Sequence, residues 1–180
     1  MGRIVSNFFM SLDGVVESPD QWHFPFFNDK MGAAVGKGMA TNHGFLMGRM
    51  LYNEWSAFWP AQTDEDFAPF MNDAPKYVVS NSLERADWNN TTIVSGDVAQ
   101  QLQDLKDATD GDLVISGSAT LVRSLLADGL LDELRLLVHP IIVGHGARLY
   151  DSDTPQTLEL VSQEVFSTGV LNLAYAPSAG

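Results

Sequence analysis

The chain has 180 residues, and its 23 acidic residues outnumber the 10 basic ones, which gives a formal net charge of -13. Because this charge repels polyanions over long range, it disfavours non-specific binding to nucleic acid or to an anionic membrane surface. The sequence contains no cysteine, which excludes disulfide bonds, a thiol nucleophile and thiolate metal sites. The hydrophobic fraction of 45% and the charged fraction of 18% are typical of a globular protein, so we expect a single domain over residues 1–180.

Membrane, secretion and metal signals are also missing from the sequence. No stretch reaches the roughly 18 uninterrupted apolar residues that a membrane-spanning helix needs. No basic region followed by an apolar core marks a secretory signal at the N-terminus. We therefore expect no membrane partner and a cytoplasmic location. The four histidines, His23, His43, His139 and His145, lack the spacing of metal ligands, so we expect no metal site.

The first two thirds of the chain alternate between predicted strands and helices. β-Branched and aromatic residues between turn signals predict strands at 3–10, 44–48, 76–80, 91–94 and 112–116. Apolar residues at helical spacing predict helices at 49–55, 98–108 and 119–128. Asn28 or Asp29 is expected to cap a further helix that extends to Met39. Gly129 occupies the position where a left-handed C-cap residue is expected.

Two intervening segments carry no such pattern. Residues 18–28 are loop-like, with prolines and several aromatic side chains. Residues 60–75 are acidic and contain Pro60, Pro69 and Pro75. We interpret this second segment as a surface excursion with one helical turn at most.

The C-terminal part is predicted to consist of strands that follow one another. One strand is expected at 134–143, where Pro140 would indicate an edge position or a bulge. A hairpin is expected from 158–166 and 170–175, around Thr168 and Gly169. The order of elements predicts an α/β fold, with a central mixed and mostly parallel sheet. Helices would cover both faces and an antiparallel C-terminal hairpin would lie at one edge.

Two strand-to-helix junctions are candidate phosphate-binding sites. Gly48 and Arg49 follow one buried strand, and Ser116, Gly117 and Ser118 follow another. A helix start offers free backbone N–H groups and a partial positive charge, and an arginine adds a fork of donors. The alternatives are a turn glycine beside a solvated arginine at the first junction, and a simple helix cap at the second.

Two turns beyond other strand ends are weaker candidates. Residues 11–14, Ser-Leu-Asp-Gly, could form a wall over a cofactor, but Asp-Gly is also a common turn pair. Residues 80–82, Ser-Asn-Ser, suit a ribose or a phosphate, or they simply close a turn. The G-x-S-x-G elbow of α/β-hydrolases and the Walker pattern do not occur.

Four segments together resemble the riboflavin-biosynthesis reductase family, the RibD C-terminal domain. Residues 11–14 resemble its S-L-D-G opening, and residues 46–52 resemble its hydrophobic-x-G-R-x-T-Y segment. Residues 115–121 stand where relatives have G-G-x-x-L. Residues 129–146 resemble G-L-V-D-E-L followed by P-x-x-x-G-x-G. The matches occur in order, at suitable intervals, over nearly the whole chain.

The resemblance implies a dihydrofolate-reductase-like fold and an NADPH-dependent reductase. It implies that Gly48 and Arg49 contact the adenosine side of NADPH, with Arg49 facing the 2′-phosphate. The further cofactor contacts that it implies are Ser80, Asn81, Ser116, Gly117, Ser118, Ala119 and Thr120, together with Ser11 and Gly14 near the nicotinamide. Asp13 would lie there too, and it is our candidate catalytic residue, as a polar substrate contact or a proton relay.

The chain departs from the family at a few positions. Ser116 replaces the first of two glycines whose connecting peptide bond is often cis in the wider fold, so the state of the Ser116–Gly117 bond stays open. Leu51 replaces a common Thr, while Tyr52 is retained. The deaminase domain that often precedes this reductase does not occur in the sequence, so we expect a stand-alone member.

The aromatic segment argues against folate as the substrate. Dihydrofolate reductases carry an acidic residue soon after Trp-x-x-Pro, whereas Trp22 and its Pro25 are followed by two phenylalanines. Asp29 is the nearest acid, and it would either replace that residue or cap a helix. Trp22, Phe27 and Tyr52 are candidate substrate contacts. The alternatives for the aromatic cluster at 22–27 are a place in the core or in a dimer contact.

The function expected from these residues is hydride transfer from NADPH to a small polar C=O or C=N substrate. The reaction would be similar to that of 5-amino-6-(5-phosphoribosylamino)uracil reductase. The alternatives are a non-catalytic nucleotide-binding or regulatory protein on the same fold, and a dihydrofolate-reductase-like enzyme of different substrate. We also expect a homodimer, formed through strand 134–143 and the C-terminal hairpin.

Overall fold

One mixed β-sheet forms the centre of the computed structural model, which describes residues 1–63 and 67–178. Its eight strands are β1 (Arg3–Ser11), β2 (Asn42–Gly48), β3 (Lys76–Val79), β4 (Thr91–Val94), β5 (Asp112–Ser116), β6 (Glu133–His139), β7 (Leu158–Val165) and β8 (Leu171–Pro177), in the spatial order β4-β3-β2-β5-β1-β6-β8-β7. The strands from β1 to β6 are parallel to one another, and β8 and β7 add an antiparallel hairpin at one edge, where β8 pairs with β6. The predicted fold class is confirmed.

Five α-helices in the described ranges connect and cover the strands. They are α1 (Asp29–Ala40), α2 (Arg49–Phe58), α3 (Ala68–Asp73), α4 (Val98–Ala108) and α5 (Ala119–Ala127). Short 3-10 turns occur at Pro19–Gln21, Phe24–Phe26 and Trp59–Ala61. No helix in the part of the chain that the structure describes is long and apolar enough to cross a membrane.

The central strands are buried on both faces, which explains their nearly continuous apolar sequences. On one face, Leu46, Leu113 and Ile115 pack against Val122 and Leu125 of α5. On the other face, an aromatic-rich cluster centres on the buried side chains Phe45, Met47, Tyr52, Met71, Val78 and Trp88. Burial of each such side chain contributes about 1.5–3 kcal/mol to folding, so these two clusters fix the positions of the strand ends.

Local signals define the helix ends. The side chain of Asn28 accepts a hydrogen bond from the backbone N–H of Met31 at 2.9 Å, so Asn28 caps α1 and Asp29 is its first residue. Gly129 has φ +69° directly after α5. The N–H of Leu130 donates to the carbonyl of Leu125 at 2.8 Å, which closes the helix as a Schellman motif.

Two expectations for the chain path are wrong. Strand β6 ends at His139 and therefore does not reach 143, because Pro140 has no N–H to donate to a neighbouring strand. It lies between β1 and β8 and is not an edge strand. The segment 60–75 is not wholly a surface excursion, because Ala68 and Met71 of α3 are buried. Part of that interpretation concerns residues 64–66, which lie outside the described residues.

Candidate functional site

The starts of α2 and α5 meet at the carboxyl ends of two neighbouring strands. Strands β2 and β5 pair in parallel, and each leads directly into one of these helices. The backbone N–H of Gly48, which precedes α2, donates to Oγ of Ser118, which precedes α5, at 3.0 Å. This hydrogen bond joins the two strand-to-helix junctions that the sequence singled out.

Both helix starts lack a side-chain cap among the residues described. Gly48 has no side chain to offer, and Ser118 Oγ is engaged by Gly48 instead of by its own helix. The first-turn N–H groups of a helix have no partner within the helix, and together they attract anions. Two adjacent helix starts in this condition form a cradle of backbone donors suited to phosphate groups.

A sharp left-handed bend makes this cradle possible. Gly117 has φ +96° and Ser118 has φ +59°, so two consecutive residues lie in the left-handed region. For the serine this conformation costs about 1–2 kcal/mol, which the surrounding structure has to offset. Every peptide bond within 1–63 and 67–178 is trans, including the one between Ser116 and Gly117.

The turn after β3 brings a third predicted segment to the same place. Ser80 Oγ accepts hydrogen bonds from the N–H groups of Ser82 and Leu83 at 3.2 and 3.1 Å. Asn81 Oδ1 accepts from the N–H of Gly96 at 3.0 Å. These bonds close the turn and place Ser82 Oγ 2.8 Å from Nη1 of Arg49, which donates to it. The positive charge of Arg49 therefore lies between α2 and this turn.

Asp13 ties two loops together. Ser11 Oγ donates to its Oδ1 at 2.6 Å, and the N–H groups of Val143 and Gly144 donate to Oδ1 and Oδ2 at 3.0 and 2.8 Å. These hydrogen bonds lower the pKa of Asp13 to about 2, because they favour its charged form. The carboxylate is therefore ionised at neutral pH, and Arg148 donates to the Asp13 carbonyl oxygen at 3.0 Å.

A largely apolar cavity of about 280 Å³ lies beside the cradle, between the sheet and helices α1, α2 and α3. Its aromatic walls are Phe9, Phe45, Trp55, Trp59, Phe67 and Phe70. Ser116, the last residue of β5, lines this cavity and also opens the bend at Gly117. The cavity therefore reaches the end of β5, from which the bend at Gly117 leads into the cradle.

Residues 3–172 match the sequence model of the family described as RibD C-terminal domain. The chain belongs to this family. It is also 26% identical over 179 residues to a Bacillus subtilis strain 168 protein named "Uncharacterized protein YyaP", covering 96% of this chain and 94% of that protein.

Solved structures agree with the fold of a RibD C-terminal domain. A putative riboflavin biosynthesis protein from Shewanella sp. PV-4 has a TM-score of 0.77 at 20% identity, covering 98% of this chain and 99% of that one. Dihydrofolate reductase from Enterococcus faecalis, complexed with NADP(H), has a TM-score of 0.64 at 15% identity and covers 98% and 97%. A Thermotoga maritima deaminase/5-amino-6-(5-phosphoribosylamino)uracil reductase has a TM-score of 0.69 at 16% identity, covering 98% of this chain and 57% of that one.

In this RibD C-terminal domain, the residues proposed as cofactor contacts lie together more closely than those proposed as substrate contacts. Tyr52 is buried in the aromatic cluster, and its hydroxyl accepts the N–H of Trp88 at 3.2 Å. Trp22 is buried against His139 and donates from Nε1 to the carbonyl of Glu17. Phe27 is 51% exposed and packs beside Gly32 on α1. The described lining of the cavity contains none of these three side chains.

Sequence reasoning missed the residues that do line the cavity of this domain. Trp55 and Trp59 project into it from α2 and the turn that follows. Their spacing of four residues on a helix was a signal that they share a face. Asn7 and Arg135 also line the cavity from β1 and β6. An amide side chain in the middle of a largely apolar strand was the signal for Asn7.

Proposed function

We propose that the protein is an NADPH-dependent reductase that transfers a hydride to a small polar C=O or C=N substrate. The observation that carries the proposal is the pair of uncapped helix starts joined by Gly48 and Ser118 beside a substrate-sized cavity. Family membership and the NADP(H)-bound dihydrofolate reductase of the same fold support it. A reaction similar to that of the uracil reductase named for the Thermotoga maritima protein is our leading interpretation.

The residues at the cradle fit this cofactor. The N–H groups at the start of α5, from Ser118 to Thr120, would hold the pyrophosphate, since they lack a competing side-chain cap in the described structure. Arg49 would face the 2′-phosphate, and Ser80 and Asn81 would shape the turn beside the adenine ribose. The protein's net charge of -13 does not oppose this binding, because backbone dipoles and one arginine create a local positive site.

When bound, NADPH supplies the hydride and is oxidised to NADP⁺, while the reduced oxygen or nitrogen takes one proton from water. The protein's own contribution is to position the two reactants and to exclude solvent, which lowers the barrier mainly through proximity. We propose that Asp13 contributes as a positioning residue near the nicotinamide, with Ser11 and Gly14. Its ionised carboxylate fixes the loop at 143–144 and has no proton to donate at neutral pH.

Cofactor binding and turnover test this proposal in two steps. NADPH at 100 times its dissociation constant should stabilise the protein by about 2.7 kcal/mol, which is visible as a raised melting temperature. Oxidation of NADPH, followed by absorbance at the nicotinamide band, should then depend on an added carbonyl or imine compound. No thermal shift at millimolar NADPH would contradict the proposal. Binding without turnover would favour the alternative of a non-catalytic nucleotide-binding protein.

We also propose that two copies form a homodimer through β7. In the described structure this strand pairs on one side only, and Leu160, Val161 and Val165 are more than half exposed. Unpaired edge strands with apolar side chains associate readily, and two copies would pair across a two-fold axis. Strand β6 cannot take this role, since both of its sides are already paired.

Light scattering at low micromolar concentration tests the dimer. The protein should have twice the chain mass, and Val161→Lys should reduce it to a monomer. A monomeric wild-type protein would contradict the proposal.

The proposed reductase consumes NADPH and belongs in a compartment that supplies it, so we propose the cytoplasm as its location.

A further inference from the structure

A row of polar side chains crosses the floor of the cavity. Strands β5, β1 and β6 are neighbours, and their register places Asn7 beside Ser116 on one side and beside Arg135 on the other. All three residues line the cavity. Because residues paired in register point to the same face of a sheet, their side chains form one polar line beneath apolar walls.

Two of these side chains have hydrogen-bond donors that no described residue accepts. Arg135 uses Nε for Glu133 and Nη2 for Asp112, while its Nη1 has no hydrogen-bond partner within the described ranges. The side-chain amide of Asn7 also has no partner among the residues described. Both approach the same point of α1, since a Cβ built on Gly38 would lie 3.7 Å from Asn7 Nδ2 and 4.0 Å from Arg135 Nη1.

The charge of Arg135 is already balanced. Arg3 contacts Asp112 at 2.8 Å and Glu133 at 3.0 Å, and Arg135 contacts the same two acids. The cluster thus holds two cations and two carboxylates. The side chain of Asp112 is only 4% exposed, so its charge is poorly screened by water. This end of the cavity therefore offers hydrogen-bond donors but no excess of positive charge. A phosphate group would need that excess.

We propose that the cavity binds an uncharged aromatic compound whose carbonyl oxygen accepts hydrogen bonds from Asn7 and Arg135. The compound is a substrate without a phosphate group, in contrast to the phosphoribosyl compound in the name of the Thermotoga maritima protein. Flat aromatic walls suit a one- or two-ring molecule. The volume of about 280 Å³ is at the small end of ligand pockets. The inference rests on the proposed function only in taking this cavity as the substrate pocket.

Three probes that share one ring system test the chemistry without NADPH. They are naphthalene, 2-naphthaldehyde and 2-naphthyl phosphate, titrated into the wild-type protein by calorimetry. The aldehyde should bind about tenfold more tightly than naphthalene, since a hydrogen bond from a charged donor contributes that much. 2-Naphthaldehyde should also bind about tenfold more tightly than 2-naphthyl phosphate, because the negative charge of the phosphate would face Asp112 and Glu133. Equal or tighter binding of the phosphate would overturn the proposal.

Two variants assign the effect to the donors. Asn7→Leu removes the amide at similar volume, so it should reduce aldehyde binding by about fivefold and leave naphthalene binding unchanged. Gly38→Ala places a methyl group 3.7 Å from Asn7 Nδ2 and 4.0 Å from Arg135 Nη1, where it hinders access to both donors, and should weaken aldehyde binding similarly. Gly36→Ala is the matched control, because a Cβ on Gly36 meets nothing within 4 Å. An unchanged aldehyde-to-naphthalene ratio in both Asn7→Leu and Gly38→Ala would overturn the proposal.

The same variants separate this inference from the proposed function. Asn7 and Gly38 lie in the cavity, so NADPH should raise the melting temperature of both variants as it does for the wild type. Loss of NADPH binding with retained aldehyde preference would contradict the reductase proposal alone. Retained NADPH binding with no aldehyde preference would contradict the inference about the substrate alone.

Discussion

The cradle at the starts of α2 and α5 is built from backbone groups, whereas the cavity beside it is built from side chains. The cradle consists of short contiguous segments, 48–49 and 116–120, whose backbone N–H groups are the proposed phosphate contacts. The cavity consists of side chains from α1, α2, α3 and several strands that are far apart in sequence. They meet at Ser116. The difference teaches that a site built from backbone groups of short segments is encoded locally in the sequence, whereas a pocket built from side chains of many elements is not.

Arg49→Ala has the largest expected effect, and it tests whether the cradle binds the cofactor independently of the cavity. Loss of the guanidinium should weaken NADPH binding by about 1.5–3 kcal/mol, the contribution of hydrogen bonds to charged groups. NADH, which lacks the 2′-phosphate, should bind as it does to the wild type. Titration calorimetry with both cofactors measures the difference.

Arg85→Ala is the control for Arg49→Ala. Arg85 is a surface arginine whose side chain is 82% exposed and faces Asp87, so its loss changes net charge equally without touching the cradle. Equal losses of NADPH and NADH affinity in Arg49→Ala would remove the role assigned to the arginine. Aldehyde binding in the cavity should be unchanged in both variants.

A second test concerns the bond that joins the two helix starts. Ser118→Ala removes the acceptor of the Gly48 N–H and keeps the left-handed backbone, so unfolding free energy should fall by about 1 kcal/mol. Ser118→Gly removes the same acceptor but also removes the left-handed cost of about 1 kcal/mol. Its stability should therefore stay near that of the wild type. Urea unfolding of both variants gives the comparison, and equal stabilities for Ala and Gly would exclude backbone strain at this position.

The cradle could be predicted from sequence because its signals are local. Helix α4 at 98–108 and strand β5 at 112–116 occupy the residues predicted for them, since periodicity and flanking turn residues act within a few positions. Gly48 and Ser116 end strands β2 and β5, and Arg49 and Gly117 follow them directly. Parallel pairing then brings the strand ends to one edge of the sheet. The conformation of Ser118 was not predictable, because αL serine depends on the packing around it.

The cavity could not be predicted, because its members meet only after the sheet has formed. Asn7 and Arg135 are paired by the register of β1 and β6, and nothing near either residue in sequence specifies that register. Tyr52 matched a family motif, yet its phase on α2 directs it into the core beside Trp88. Trp22 and Phe27, expected as substrate contacts or as part of the core or of a dimer contact, are absent from the described lining of the cavity, whereas Phe9 and Trp59 form an aromatic wall from other elements.

A third prediction probes the packing behind the Phe9 wall of the cavity. The ring of Phe9 lies 4.7 Å from that of His23 and 5.8 Å from that of His139. Burial lowers the pKa of both histidines below 6.5, and the proximity of His139 lowers that of His23 further, while Asp20 opposes this shift. The unfolded chain then binds more protons than the folded one below pH 6.5. Stability present above that pH should be lost as the pH falls.

Urea unfolding at pH 7.5 and 5.5 measures this effect. The wild type should lose stability between the two pH values, and His139→Leu should lose less, because it lacks one of the buried titrating groups. His145→Gln serves as the control, since His145 is exposed. An identical pH dependence of stability in the wild type and in His139→Leu would show that the buried His139 ring does not cause the loss of stability.

The smallest expected effect concerns Asp13, which ties two loops together through its hydrogen bonds. Its pKa of about 2 lies below the ordinary 3.8 because Ser11 and the N–H groups of Val143 and Gly144 favour the carboxylate. The folded state therefore gains stability that is complete above pH 3.8 and is lost as the pH falls through 2. Asp13→Asn should lower the melting temperature slightly at pH 7, and this difference should disappear near pH 2.

Asp153→Asn is a suitable control for Asp13→Asn, since Asp153 is exposed and loses the same charge. If Asp13 only positions the loop, Asp13→Asn should raise KM for the substrate while the pH profile of kcat keeps its shape. A proton-relay role would instead change that profile, because a relay group has to titrate in the working range. The two readouts, KM and the pH profile of kcat, decide whether the Asp13 carboxylate positions its loops or takes part in proton transfer.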